Sequence, residues 1–215
     1  MTEANGRTRP VVAVLDYGIG NLRSAQKGFE RAGADARLTA DPTEVAAADG
    51  VVLPGVGNFG RCVEAVQSHG VDAIAKDAAA SGVPFLGICV GMQLMFAGSE
   101  ESPDHGGLGL LPGTIRLLPG DVKRPQMQWN ALHIERPSPL LDGLDGAWLY
   151  FVHSYAADAG EAADIVTATC DYGGRVVAAV QQNNVFATQF HPEKSSDAGR
   201  MLLANFVDLC RKDGS

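Results

Sequence analysis

The chain has 215 residues, of which 46% are hydrophobic and 20% charged, the composition of an ordinary globular protein long enough to bury one core. Its formal net charge of −8 argues against a general nucleic-acid or anionic-membrane surface. The four cysteines are far apart and form no CxxC pair, so we expect neither a disulfide framework nor a metal site. Residues 1–10 are polar, and no apolar run reaches the ~18 residues of a membrane span. We therefore expect a flexible tail over residues 1–10, no secretory signal and a cytoplasmic protein.

The first half of the chain alternates apolar runs with helical patterns. Residues 11–15 form a continuous apolar run, as expected of a strand buried on both faces of a parallel sheet. The turn that follows contains Gly18 and Gly20, but Arg23 stands where a dinucleotide fingerprint has its third glycine, which favours a tight turn over a nucleotide site. The next predicted elements are a helix over 22–32, a strand near 36–38, a short helix over 42–48, a strand over 50–54 and two helical segments within 59–80.

The second half changes character, because glycines and prolines crowd between short runs that look extended. The predicted strands are 115–118, 131–134, 148–152, 165–170, 176–180 and 185–190, and an amphipathic helix over 196–210 closes the chain. We predict a single α/β domain over residues 11–212. Its core is an open mixed sheet, mostly parallel and flanked by helices, with a small antiparallel extension.

A short apolar run ends at Cys89, with Gly87 and Gly91 two residues to either side and helix-forming residues over 91–97. This is the strand–turn–helix pattern of a nucleophile elbow, with Cys in place of Ser. We expect the glycines to allow a sharp turn and to keep side chains away from the sulfur, while the helix N-terminus favours a thiolate. The alternative is a buried cysteine that simply ends a core strand.

A cysteine nucleophile needs a base, and the best candidate is His191. It ends the predicted strand 185–190, and Pro192 biases it towards an extended backbone. Glu193, two residues further on, can hydrogen-bond one imidazole nitrogen and so fix the tautomer. His153 also ends a strand-like run and could line a site. The alternative for His191 is a strand-end histidine beside a surface glutamate.

A glycine-rich loop, Pro54-Gly55-Val56-Gly57, follows the third predicted strand at its carboxyl end, where open α/β sheets bind ligands. Two glycines around one residue allow a backbone N–H to point at a ligand, so the loop could supply an oxyanion donor. Taken alone, the pattern also fits an ordinary glycine-rich turn.

Two motifs together resemble the class I (triad) glutamine amidotransferases: Gly87-Ile88-Cys89-Val90-Gly91-Met92-Gln93 and Phe190-His191-Pro192-Glu193. Further stretches resemble one branch of that family, the glutaminase subunits of imidazole glycerol phosphate synthases of histidine biosynthesis. These stretches are 17–22, 54–60, 127–130, 150–155 and 191–196. The resemblance runs from about residue 11 to residue 210 and implies a flavodoxin-like core.

The resemblance implies a thioester mechanism for the hydrolysis of L-glutamine. In the family, the cysteine that matches Cys89 attacks the side-chain carboxamide, and the histidine that matches His191 passes a proton to the departing ammonia. The glutamate that matches Glu193 orients that histidine, and water then releases glutamate from the thioester. No cofactor is implied.

The family also supplies expectations for the rest of the site. The oxyanion would be held by the backbone N–H of Val90 and by one from Val56 or Gly57. The positions that the resemblance assigns to glutamine binding are Gly55, Gln93, Glu101, Ser154 and Tyr155. Glu101 suits an ammonium group, whereas Gln93 could serve either the ammonium or the carboxylate of glutamine.

The resemblance further implies a heterodimer with a (β/α)₈ cyclase subunit, to which the ammonia is channelled. In this branch the glutaminase is nearly silent until the partner and its ligand bind. The positions that match the partner-facing surface are Asn21, Trp129, Tyr150 and Lys194. In the stretch 125–130, Gln126 and Gln128 stand where relatives commonly have His and Gly, and the larger Gln128 could alter the partner surface or the local turn.

Three alternatives remain open from the sequence. The chain could serve a synthase with another acceptor, of the anthranilate or aminodeoxychorismate type, or act as a stand-alone Cys–His hydrolase. It could also be a binding module with a decayed site, although the intact triad argues against decay. Met92 and the pair Lys194-Ser195 favour the imidazole pathway.

Overall fold

The computed structural model describes residues 9–211, and a mixed sheet of eight strands forms its centre. Residues 1–8 of the predicted tail and residue 212 of the predicted domain lie outside the described residues. In chain order the strands are β1 (Val11–Leu15), β2 (Asp35–Thr39), β3 (Gly50–Gly55), β4 (Phe85–Cys89), β5 (Ile115–Leu117), β6 (Gln126–Ala131), β7 (His133–Ile134), β8 (Trp148–His153), β9 (Tyr155–Ala157), β10 (Val166–Asp171), β11 (Arg175–Gln182) and β12 (Val185–Thr188).

The helices are concentrated in the first half of the chain, as predicted. They are α1 (Leu22–Arg31), α2 (Pro42–Ala46), α3 (Phe59–Ser68), α4 (Val71–Ala80), α5 (Val90–Leu94) and, at the end of the chain, α6 (Ser196–Leu209). Asp41 begins α2 by accepting the Thr43 N–H with its side chain, and Asn58 begins α3 in the same way through the Arg61 N–H. Helices α1 and α6 pack together through the rings of Phe29 and Phe206, whose centroids are 5.6 Å apart.

The main sheet has the order β2-β1-β3-β4-β12-β11-β10-β7. The first five strands run parallel, and the last three continue the same sheet antiparallel. Strands β3 and β4 are buried along their whole length, as expected for continuous apolar runs covered on both faces. Strand β4 lies between β3 and β12, so the three strands bring their carboxyl ends to one edge.

Two antiparallel ribbons lie outside the main sheet, one formed by β5 and β9 and the other by β6 and β8. Together with β7, β10 and β11 they make up the antiparallel extension. The predicted mostly parallel sheet with flanking helices and a small antiparallel extension is therefore confirmed.

Two predicted elements differ from the structure. The strand predicted over 131–134 is split between β6 and β7. Strand β6 begins earlier than predicted, at Gln126, and its polar residues explain why the sequence gave no strand signal there. The helix predicted over 91–97 ends at Leu94. Its last carbonyl groups are taken by a returning loop, since the N–H of Leu108 donates to the Leu94 oxygen at 2.7 Å and that of Leu110 to the Met95 oxygen at 2.8 Å.

Helix α5 approaches β3 so closely that Gly91 has no room for a side chain. A Cβ on Gly91 would lie 1.8 Å from the Leu53 carbonyl oxygen, which belongs to the rigid backbone of β3. We expect Gly91→Ala to lower the free energy of unfolding by about 3 kcal/mol or more, because backbone has to move. Urea denaturation measures this loss.

Gly28→Ala is the matched control for that variant. A Cβ on Gly28 would lie 2.9 Å from Leu203 Cδ1, the tip of a flexible side chain, and alanine is the better helix former inside α1 by ~1 kcal/mol. We expect little or no loss of stability. Equal destabilisation by the two variants would contradict the importance of the Gly91 contact.

Candidate active site

Cys89 has a backbone conformation that L-residues rarely adopt. It ends β4 with φ 55° and ψ −114°, and α5 begins at the next residue. Such a conformation is expected to cost of order 1–3 kcal/mol and persists only where the surrounding structure enforces it. The predicted strand–turn–helix at Cys89 is therefore present, and the strain is at the cysteine itself.

The neighbouring glycines have a different role from the one expected. The positive φ belongs to Cys89, whereas Gly87 and Gly91 allow close packing. A Cβ on Gly87 would lie 2.9 Å from the Met92 Cα, and one on Gly55 would lie 2.5 Å from the Gly91 nitrogen. The glycines thus bring the elbow against its own helix and against β3.

His191 follows β12, and its backbone is held from both sides. Its N–H donates to the Tyr150 carbonyl at 3.0 Å, and the Ser195 hydroxyl donates to the His191 carbonyl at 2.6 Å. The same hydroxyl oxygen accepts the Tyr150 N–H at 3.0 Å. His191 Nδ1 lies 2.8 Å from Glu193 Oε1, and both side chains are at least 95% buried. The predicted orienting contact of Glu193 is thus present in the geometry.

Electrostatics favour the protonated form of His191. Burial alone would lower the pKa of this imidazole, but its hydrogen bonds to Cys89 and Glu193 outweigh that effect and raise the pKa to about 9. The carboxylate of Glu193 thus holds an imidazolium next to the cysteine sulfur, the arrangement in which a thiol nucleophile is activated.

His153 carries no charge at neutral pH, because burial lowers its pKa to about 4. Its Nδ1 lies 2.9 Å from the Tyr155 carbonyl oxygen. A carbonyl oxygen can only accept, so Nδ1 carries the proton and Nε2 is the unprotonated nitrogen.

Cys89 and His191 open onto one cavity of about 330 Å³. Most of the residues predicted for oxyanion and glutamine binding line it, namely Val56, Gly57, Val90, Gln93, Glu101, Ser154 and Tyr155. Pro125, Val152, His153 and Lys194 complete the wall. Gly55 lies instead in a small cleft behind the triad that Asn21 also lines. Gly55 packs against the elbow helix, and the glutamine-binding role expected of it stays a prediction.

The loop that carries Val56 is held from beneath by two buried side chains. The Tyr17 hydroxyl donates to the Pro54 carbonyl at 2.7 Å, and the Cys62 thiol donates to the Val56 carbonyl at 3.4 Å. Burial raises the pKa of both groups, to about 11 for Cys62, so both stay protonated donors at neutral pH. In a trans peptide the carbonyl and the next N–H point in opposite directions, so the Gly57 N–H points away from Cys62.

Glu101 and Gln93 are each anchored by one part of the side chain. Glu101 Oε2 accepts the Phe59 N–H at the start of α3, at 2.7 Å. Gln93 Nε2 donates to the Tyr155 carbonyl at 2.9 Å and to Gln189 Oε1 at 3.0 Å. The Gln189 Nε2 in turn lies 3.8 Å from the Cys89 sulfur.

Besides the wall residues Pro125 and Val152, three residues that support the site were not predicted from the sequence: Tyr17, Cys62 and Gln189. Gln189 stands two residues before His191, and the period of two in an extended chain was a signal that it faces the same side. No comparable signal existed for Tyr17, whose contact joins segments 37 residues apart, or for Cys62, whose contact depends on the path of the loop before α3.

The residues predicted for the partner surface lie in three places. Trp129 of β6 and Tyr150 of β8 are opposite each other, with ring centroids 6.1 Å apart. Lys194 lies at the cavity, and Asn21 lies in the cleft behind the triad. Met127 and Trp148, which were not predicted, are 63% and 61% exposed on the ribbon formed by β6 and β8.

Within residues 9–211, no group of three or more His, Cys, Asp or Glu residues is placed to hold a metal ion. In the same range, no helix has the length and apolar character needed to cross a membrane.

Comparison with known proteins places these features in a family. A family model described as glutamine amidotransferase class-I matches residues 13–209. The chain is 50% identical over 208 residues to a protein of Syntrophotalea carbinolica named imidazole glycerol phosphate synthase subunit HisH, covering 93% of this chain and 100% of that one. A protein of the same name from Moorella thermoacetica is 45% identical over 208 residues, with 96% and 98% covered.

Two solved structures share the fold at low sequence identity. The structure of PurLQS from Thermotoga maritima has a TM-score of 0.74 and 19% identity, with 94% of this chain and 99% of that chain covered. A crystal structure named glutamine amidotransferase has a TM-score of 0.72 and 20% identity, with 93% and 98% covered.

The raised pKa of His191 predicts the sign of a pH effect on stability. A pKa that is higher in the folded protein adds stability that is fully present below the unfolded value of 6.5 and is lost as the pH rises through the folded value of about 9. Across that pH range we expect the free energy of unfolding of the wild type to fall by about 3 kcal/mol relative to that of His191→Asn. Urea unfolding at stepped pH measures the difference. A difference that is constant or grows with pH would contradict the charged contact. In Glu193→Gln the loss should move to lower pH.

The hydroxyl of Tyr17 gives a second prediction. Tyr17→Phe leaves the buried Pro54 carbonyl without its donor, so we expect the free energy of unfolding to fall by about 1–3 kcal/mol. Tyr172→Phe is the matched control, because the Tyr172 hydroxyl donates to the Lys123 carbonyl at the same 2.7 Å in an exposed position. That variant should lose less than about 0.5 kcal/mol in the same urea titration. If Tyr17→Phe and Tyr172→Phe lose the same unfolding free energy, the burial of the Tyr17–Pro54 hydrogen bond does not matter for stability.

Proposed function

The chain belongs to the class-I glutamine amidotransferase family, in the branch of the imidazole glycerol phosphate synthase subunits, and from that premise we propose how its residues act. It is a glutaminase, and we assign the hydrolysis of L-glutamine to Cys89, His191 and Glu193. The observation that carries this assignment is the geometry of one edge of the sheet. The nucleophile of β4 and the imidazole that follows β12 line the same cavity, with the carboxylate of Glu193 behind the imidazole.

The first step forms a thioester. The Cys89 thiolate attacks the carbonyl carbon of the side-chain carboxamide, and the carbonyl oxygen becomes an oxyanion. As the C–N bond breaks, the imidazolium of His191 gives its proton to the leaving nitrogen, which departs as ammonia. The proposed oxyanion donors are the N–H of Val90, which directly follows the nucleophile, and an N–H of Val56 or Gly57. Both segments line the cavity beside Cys89.

The second step returns the enzyme to its starting state. His191, now neutral, takes a proton from water, and the resulting hydroxide attacks the thioester carbon. The C–S bond breaks, glutamate leaves, and Cys89 again faces an imidazolium. Glu193 supports both steps because its carboxylate fixes the ring at Nδ1, which leaves Nε2 for the sulfur and the substrate.

Acidic and polar groups of the cavity wall suit the backbone end of glutamine. We assign the α-ammonium group to Glu101, whose Oε2 caps α3 while its second oxygen is available to a ligand. Ser154 and Tyr155 line the same wall and are assigned to the α-carboxylate. In this assignment glutamine lies between the elbow, Glu101 and the turn from β8 into β9.

The ammonia would be passed to a cyclase partner of the (β/α)₈ type, and we propose that the ribbon of β6 and β8 docks it. The ribbon exposes Trp129, Trp148 and Met127, aromatic and thioether side chains that are typical of interface cores. It also adjoins the cavity, because Pro125 precedes β6 and Val152 belongs to β8, and both line the wall. The family resemblance adds Asn21, Tyr150 and Lys194 to this surface. The cytoplasmic location stays a prediction.

The proposed function is tested by glutamate release from L-glutamine, with and without a (β/α)₈ cyclase subunit and its ribotide ligand. We expect strong activity of the wild type only in the complete mixture, and a fall by about 10³ or more in Cys89→Ala. Cys210→Ala removes another buried thiol, at the end of α6, and should retain activity.

Two outcomes would contradict the proposal. Activity that persists in Cys89→Ala would exclude this cysteine as the nucleophile. High activity of the isolated chain, indifferent to the cyclase, would exclude the gated subunit and favour a stand-alone hydrolase or the subunit of another synthase.

A further inference from the structure

We propose that Gln189 is a further positioning residue of the reaction site, where its amide hydrogen-bonds the Cys89 sulfur with its NH₂ group and accepts the second hydrogen of the Gln93 NH₂ group with its oxygen. This inference rests on the proposed role of Cys89 as the nucleophile. Gln189 is fully buried, Gln93 and Cys89 are each 3% exposed, and the contacts between them are therefore shielded from water. Its backbone is fixed as well, because the Gln189 N–H donates to the Ala178 carbonyl at 2.8 Å.

The directions of both amides follow from a single carbonyl group. The Tyr155 oxygen can only accept, so the end of the Gln93 amide that faces it at 2.9 Å is the NH₂ group. The same NH₂ group lies 3.0 Å from the Gln189 amide, which must therefore present its oxygen. The remaining end of the Gln189 amide, its own NH₂ group, is the one that faces the Cys89 sulfur at 3.8 Å.

The contact with sulfur favours the attacking form of Cys89. An N–H donor stabilises a thiolate more than a thiol, because the negative charge is the better acceptor. His191 contacts the same sulfur, so the nucleophile has two hydrogen-bonding partners that follow β12. Gln189 is an amide and gives no proton away, so its part is to position and hydrogen-bond the sulfur.

The contact with Gln93 determines what the cavity wall offers a ligand. Both hydrogens of the Gln93 NH₂ group are used inside the protein, so its contribution to the cavity is the Oε1 acceptor. An oxygen acceptor suits the α-ammonium group and repels the α-carboxylate. The sequence left open whether Gln93 binds the ammonium or the carboxylate of glutamine, and its contacts with Tyr155 and Gln189 favour the ammonium.

Alkylation of Cys89 by iodoacetamide tests the proposal without any partner or turnover, and mass spectrometry of the labelled peptide identifies the site. We expect Gln189→Met, which keeps the size and loses the hydrogen bonds, to react about five-fold more slowly than the wild type at pH 7. The L-glutamate concentration that halves the alkylation rate should rise about five-fold. In Gln93→Met the protection by glutamate should fall as well, while the alkylation rate changes less than in Gln189→Met.

Gln126→Met is a closely matched control. Gln126 is also fully buried, and its Nε2 donates to the sulfur of Cys170 at the same 3.8 Å. The loss of this hydrogen bond in Gln126→Met should leave two quantities within two-fold of the wild type: the rate of Cys89 alkylation and the L-glutamate concentration that halves it. A Gln189→Met protein that behaves like Gln126→Met would overturn the proposal, even if Cys89 proves to be the nucleophile in the glutaminase assay.

Gln189→Glu provides the same test if Gln189→Met fails to fold. It keeps the length and an oxygen for Gln93, but its carboxylate has no N–H for the sulfur. Alkylation should slow by at least five-fold, while protection by glutamate stays closer to the wild type. Unchanged alkylation in this variant would also overturn the proposal.

Discussion

The backbone of Cys89 is the constraint on which the rest of the site depends. The combination of φ 55° and ψ −114° persists in an L-residue only where the surrounding structure enforces it, and here the enclosing neighbours are two segments of backbone. Gly55 at the end of β3 and Gly91 in the first turn of α5 approach so closely that neither could carry a methyl group. Strand β4 pairs with β3 on one side and with β12 on the other, so its end at Cys89 cannot shift within the sheet to relieve the strain. The strained residue thus places its sulfur at the sheet edge where the imidazole also lies.

The orientation of the polar side chains in the cavity is set by one carbonyl oxygen, that of Tyr155. Tyr155 accepts from His153 on one side and from Gln93 on the other, which fixes a tautomer and an amide direction at once. Buried polar groups are stable only when paired, so each assignment forces the next one along the chain of contacts. A cavity wall built in this way presents a defined pattern of acceptors before any ligand arrives.

The sequence predicted the parts of this molecule that depend on local patterns. Continuous apolar runs predicted β1, β3 and β4, and the glycines around Cys89 predicted the elbow. The pairing of His191 with Glu193 was expected because a glutamate two residues after an extended, proline-fixed histidine can curl back to one imidazole nitrogen. The contacts of Tyr17 and Cys62 could not be predicted, because the first joins segments 37 residues apart and the second depends on the path of the loop before α3. For Gln189 the sequence indicated which side it faces, but its partners lie 96 and 100 residues away. Strand β6 was missed for another reason: its polar and half-exposed residues lack the alternation of a core strand, and its pairing with β8 decides its conformation.

The hydrogen bonds at Tyr150 have a mechanical consequence. Its carbonyl holds the N–H of His191, and its N–H is held by the Ser195 hydroxyl, which also grips the His191 carbonyl. Tyr150 belongs to the ribbon whose outer face carries the exposed aromatic side chains. Strand β8 and the backbone of His191 are therefore coupled through a closed ring of three hydrogen bonds, two of which use the Ser195 hydroxyl. A displacement of β8 at Tyr150 would thus also displace the backbone that carries the catalytic base.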